Sequence, residues 1–174
     1  MRPERVIRGG RVEPDRWTFL GVTGEPVPAE LPAGPIAVPL AAWKARRADL
    51  LARHEPVGVW LAPADEPAQI APDLAHLTLL AVHFPKFADG RGYSTAFLLR
   101  TRHGYRGELR AFGDVGRDQL NELRRSGFDA FSLGPHRDPE AALASLVPFN
   151  RPYQGAADDP VPLFRKRFGT GAAR

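Results

Sequence analysis

Residues 77–84, LTLLAVHF, constrain this chain more than any other stretch. They are apolar at odd and even positions alike, so a strand built from them needs cover on both faces. The sequence that follows keeps a matching rhythm. A Gly-containing turn leads into a predicted helix over 92–103, with Tyr93, Ala96, Phe97 and Leu99 expected inward and Gly104 as its stop. A strand is predicted over 108–112, a helix over 117–126 ended by Gly127, and a strand over 129–133. Strands alternating with helices imply parallel strands joined by right-handed crossovers.

The flanks are richer in proline. Residues 6–20, VIRGGRVEPDRWTFL, predict an antiparallel hairpin turning at Gly9-Gly10, with Trp17-Thr18-Phe19 favouring strand. A short strand over 36–40 is weakened by Pro39. Then come a helix over 41–54, a buried strand over 57–62 and a polar loop over 63–72. Asp138 and Pro139 suit the cap and first position of a helix over 138–146. The expectation is one α/β domain over 1–174, with Pro-rich wrapping at 1–35 and an irregular tail at 147–174. It would hold about five mostly parallel strands with flanking helices. An open Rossmann-like or flavodoxin-like sheet is the first choice. A partial (β/α) barrel is the alternative, because 174 residues fall short of the ~250 of a full barrel.

Composition narrows the function classes. There are no cysteines, which excludes disulfides, thiol redox chemistry and an iron–sulfur cluster held by this chain's own thiolates. The net charge is +4, a mild bias, and the arginines are interleaved with acids, so nucleic-acid binding is not expected. No signal-peptide pattern opens the chain and no apolar run reaches the ~20 residues of a membrane helix. The expectation is a cytoplasmic protein without a membrane partner. His54, His76, His83, His103 and His136 lack metal-ligand spacing, so no metal is expected. His83, inside the apolar run, reads as a core histidine.

Ligands of open α/β sheets gather at the C-terminal ends of the strands. That places Asp89, Gly90, Arg91, Gly92 and Ser94 at a candidate anion site. Helix-start amides attract anions, the glycines permit close approach, and Arg91 can add a charge-assisted hydrogen bond. The same residues also read as a tight turn capped by Asp89 or Ser94. The glycine pattern is neither GxGxxG nor a P-loop. Asp114, Arg117 and Gln119 follow the next strand and would share this edge. They either complete a polar cleft or form ordinary ion pairs and caps. No Ser-His-Asp arrangement supports nucleophilic catalysis. Arg124 and Arg125, with Phe164, Arg165 and Arg167 of the tail, form a candidate docking surface, since arginine and aromatic anchors suit interfaces.

Several fragments recur together: Asp89-Gly90-Arg91-Gly92-Tyr93-Ser94, Leu99-Arg100, Gly107-Glu108-Leu109-Arg110-Ala111, Gly113-Asp114-Val115, Arg117-Asp118-Gln119-Leu120 and Gly127-Phe128-Asp129-Ala130-Phe131. Their order and spacing resemble one bacterial domain-of-unknown-function family. Its members are assigned as oxidoreductases of sulfite reduction, because their genes tend to lie beside the haemoprotein of sulfite reductase. Pro162-Leu163-Phe164-Arg165 also resembles that family's end. The resemblance implies an accessory or electron-supply protein of sulfate assimilation and cysteine biosynthesis, with the sulfite reductase haemoprotein as its partner. A cysteine-free chain would donate electrons from a bound flavin or nicotinamide, or bridge the haemoprotein to a separate donor. The missing dinucleotide fingerprint favours bridging. The alternative is a stand-alone α/β enzyme acting on a small anionic or phosphorylated metabolite.

Overall fold

The computed structural model describes residues 5–146, 156–157 and 160–162. Strands β1 (Arg5–Arg8) and β2 (Arg11–Pro14) form the expected hairpin. Gly9 and Gly10 turn it at φ of 57° and 74°, a left-handed geometry that costs glycine no Cβ clash. The hairpin ends at Pro14. Thr18 and Phe19 do not extend it but form β3 (Thr18–Phe19) elsewhere in the sheet. Strands β4 (Ile36–Pro39), β5 (Val57–Leu61), β6 (Leu79–Phe84), β7 (Glu108–Gly113) and β8 (Ala130–Phe131) follow.

All eight strands join one sheet in the order β2-β1-β8-β7-β6-β5-β4-β3. Each pair from β3 to β8 is parallel, and β1 runs antiparallel to β8. The strand count therefore exceeds the expected five. The parallel strands also run in sequence order, without the reversal that defines a doubly wound Rossmann or flavodoxin sheet. The result is a curled open sheet, a half-barrel. One ring contact measures the curl. β3 and β7 lie four strands apart, ~19 Å in a flat sheet at ~4.8 Å per strand. Yet the rings of Phe19 and Phe112 approach to 4.5 Å between centroids.

Alternation along the strands sorts side chains into two cores. Leu80, Val82 and Phe84 of β6 join the larger one, which also takes in Trp43, Leu50, Leu99, Leu120 and Leu123 from the helices. Leu79 and Ala81 point the other way. They join Trp17, Phe19, Ala37, Trp60 and Phe112 in a cluster without helical residues. The helices thus cover one face, and the opposite, concave face packs on itself. The chain crosses that face between β2 and β3, which lie at opposite edges of the sheet. Asp15 anchors the crossing. Its carboxylate accepts from Arg110 at 2.7 Å with neither side chain exposed, and from the Trp17 amide at 3.0 Å.

The helices depart from expectation in detail. Residues 41–54 give two short helices, α1 (Leu40–Ala45) and α2 (Arg47–Leu51). They separate at Arg46, which leaves helical geometry (φ −124°, ψ 27°) and donates to the Pro28 and Ala29 carbonyls. α3 (Arg91–Thr101) buries Gly92, Thr95, Ala96 and Leu99. Phe97, expected inward, is 45% exposed because it falls off that stripe. Residues 117–119 form a 3-10 turn that leads into α4 (Leu120–Arg125). α5 (Pro139–Leu143) starts as expected, with the Asp138 side chain accepting from the Glu140 amide at 2.9 Å.

Candidate functional site

Three consecutive strand-to-helix connections meet at the C-terminal edge of the sheet, following β6, β7 and β8. The candidate residues found in sequence lie in the first two. They are brought together, chiefly as supports for one another. Asp114 accepts from the Phe87 amide at 3.0 Å and from Arg137, beyond β8, at 2.7 Å. Gln119 is buried; its Oε1 accepts from the Gly116 amide at 2.9 Å and its Nε2 donates to the Phe87 carbonyl at 3.0 Å. Both side chains therefore tie the loop after β6 to the loop after β7.

Asp89 and Arg91 pair with each other. The guanidinium donates to both carboxylate oxygens, at 2.9 and 2.7 Å, and Oδ1 also accepts from the Arg91 amide at 3.2 Å. Arg91 holds the Asp89 carboxyl at about 2, below the ordinary carboxylate range. The protein's own carboxylate thus lies against the start of α3. Gly92 does close-packing work there. A Cβ at this position would stand 2.5 Å from the tip of the buried Phe84 ring. Gly90 and Ser94 are exposed. Arg117 is exposed and lines a shallow hollow with Asp118 and Arg137.

A different feature lies at the mouth of the half-barrel. A cleft of about 360 Å³ opens over the concave face, with Phe19, His83, Phe112 and Ser132 among its lining residues. The connection after β3 closes one side through Val22 and Thr23, and Pro85 and Pro135 contribute from the later loops. Its construction follows from register. His83 pairs with Phe112 across β6 and β7. Ala111 pairs with Phe131 across β7 and β8, which sets Phe112 beside Ser132. The three residues form a row on one face, at the ends of adjacent strands.

The row is packed firmly. The His83 and Phe112 rings stack at 4.8 Å, and Trp60 meets His83 edge-on at 5.8 Å. Burial among these rings lowers the His83 pKa below that of an ordinary imidazole. At neutral pH the ring is therefore an uncharged donor and acceptor. Ser132 is 2% exposed, and its hydroxyl has no hydrogen-bond partner among the described residues. The cleft lining includes Asp114 but not Asp89, Arg91, Arg117 or Gln119. Sequence reasoning missed His83 and Ser132 as site residues. The available signal was parity: both stand at strand ends, on the same alternating face as Phe112.

Arg124 and Arg125 lie on the last turn of α4, and Arg125 sits 3.7 Å from Glu122. Phe164, Arg165 and Arg167 lie outside the described residues. Among the described residues, no cluster of three or more His, Asp or Glu is placed to hold a metal ion. No described helix is long and apolar enough to cross a membrane.

Fold and site together define a half-barrel α/β protein with a ligand-sized cleft at the C-terminal ends of its parallel strands. The chain belongs to the family described as bacterial protein of unknown function (DUF934), whose model matches residues 58–164. No curated protein matches it. The matched span runs from the second residue of β5 through α5, and takes in most of the cleft and every strand-end candidate found in sequence.

Proposed function

We propose that this chain is an accessory or electron-supply protein of assimilatory sulfite reduction, acting in the cytoplasm beside the sulfite reductase haemoprotein. The observation that carries the reading is the ordered set of fragments from Asp89 to Phe131, which runs through the connections after β6 and β7 and resembles a family assigned to sulfite reduction. Bridging between the haemoprotein and a separate electron donor is the favoured form. Asp89 already occupies the start of α3, where a dinucleotide phosphate would have to bind. The exposed strand-end arginines, the Arg124-Arg125 end of α4 and the tail residues Phe164, Arg165 and Arg167 are the proposed docking groups.

Growth tests this reading. A strain lacking the gene, with no second copy, should grow poorly on sulfate or sulfite and recover on sulfide or cysteine. Normal growth on sulfate would remove the pathway assignment. A second reading, an enzyme of small anionic metabolites, draws on the hollow lined by Arg117 and Arg137. It predicts normal growth on sulfate, with activity lost in Arg117→Ala.

A further inference from the structure

The mouth cleft has a chemistry of its own, independent of the sulfite-reduction reading. Its volume, about 360 Å³, is at the small end of ligand pockets, which span ~300–1,000 Å³. That accommodates two or three fused rings but not a whole dinucleotide. The floor is aromatic and rigid, because the lining rings of Phe19 and His83 each contact Phe112, and Trp60 contacts both His83 and Phe112. Pro85 and Pro135 add flat apolar surface.

Charge then selects among ligands. The lining contains neither lysine nor arginine, and its one carboxylate, Asp114, already accepts from Arg137 and the Phe87 amide. An anionic ligand would find no cation in the lining, because Arg137, held on Asp114, is not among the lining residues. An uncharged ligand would meet apolar walls and, besides Asp114 and Thr23, whose hydroxyl is bonded to Glu25, the polar side chains of His83 and Ser132. These lie one strand to either side of Phe112, so their backbones are ~10 Å apart at ~4.8 Å per strand. Among the described residues the Ser132 hydroxyl is buried without a partner, and a buried hydroxyl left unbonded is unfavourable until it is satisfied. A ligand with a polar atom at this end of the cleft would supply the missing bond after a rotation about the Ser132 Cα–Cβ bond.

We propose that the cleft is a binding site for a planar, uncharged heteroaromatic compound of two or three fused rings. One polar edge reaches the His83 imidazole and the other the Ser132 hydroxyl. The rings lie against the aromatic floor between Pro85 and Pro135.

Lumichrome, an uncharged fluorescent three-ring heterocycle, is the probe. Titrated into the full-length protein, it should bind saturably at one site, followed by fluorescence anisotropy. Thr23→Trp, an exposed rim change that fills the mouth, should weaken binding at least tenfold, as should His83→Ala. Ser132→Ala should weaken it severalfold. Arg102→Ala, on the surface beyond α3, should leave it unchanged. Circular dichroism keeps the comparison to folded variants, and the rim variant keeps the test decisive if His83→Ala fails to fold. Orthophosphate at millimolar concentration should not compete. Absence of saturable binding, equal affinity in Thr23→Trp, or displacement by orthophosphate would each overturn the proposal. These readouts come from purified protein and do not depend on the growth phenotype.

Discussion

Gly92→Ala separates two roles of the Asp89–Ser94 turn by the sign of its effect. Alanine in place of glycine ordinarily stabilises a helix interior by up to ~1 kcal/mol. The gain is smaller at Gly92, the second residue of α3, where helical hydrogen bonding is incomplete. Against it stands a Cβ placed 2.5 Å from Phe84 Cζ and 2.9 Å from Cε1. Phe84 is only 1% exposed, and its ring packs against Tyr93 and Phe128 with centroids at 5.7 and 6.0 Å. It has little room to swing aside. Overpacking of this kind costs ~1–3 kcal/mol. The net expectation is a loss of about 1–2 kcal/mol, or roughly 2–8 °C in Tm for a chain of this size. Urea and thermal unfolding would measure it, and Phe84→Leu in the Gly92→Ala background should recover part of the loss. A more stable Gly92→Ala protein would refute the packing role and return Gly92 to the anion-site reading.

Removing Arg110 should be more damaging. Its fully buried guanidinium serves Asp15 and Glu108; Glu108 keeps Arg8, but Arg110→Leu takes this partner from the buried Asp15 carboxylate and should cost about 3–5 kcal/mol in urea unfolding. Asp15→Asn in that background should restore part of the loss, and a single-variant loss below ~1 kcal/mol would deny the pair its anchoring role. His83 makes a pH prediction. Its folded pKa lies below its unfolded value near ~6.5, so between the two the unfolded chain binds more protons and stability rises with pH. His83→Gln should flatten the stability profile below pH ~6.5, and an unchanged slope would contradict burial of the neutral ring. Finally, Arg91→Ala and Arg117→Ala should impair sulfite-dependent growth more than Arg46→Ala without unfolding the protein; equal growth of all three would remove the strand-end arginines from the docking surface.

What could be read from the sequence was local. The apolar run around Leu80 and Val82 gave β6, Gly9-Gly10 gave the first turn, and Asp138-Pro139 gave the start of α5. Strand order was not legible, because the same strand–helix alternation serves a doubly wound sheet and a half-barrel. The pairing of β1 with β8, and the removal of β3 to the opposite edge, join residues remote in sequence. The polar candidates were visible as residue types, but their partners were not. Nothing near Gln119 in sequence announces that its amide spans to Phe87. The cleft was hidden for the same reason. Alternation puts His83, Phe112 and Ser132 on one face, but only the curl brings Phe19 across to them.

The most direct test of the functional account is association of the purified chain with the sulfite reductase haemoprotein of the same organism. A saturable complex is expected in titrations at low salt. Charge reversal at Arg165 and Arg167 should weaken it most clearly there, because such charges act over ~8 Å at physiological ionic strength and farther when salt is low. Absence of a complex at both low and physiological salt, with each protein folded, would contradict it.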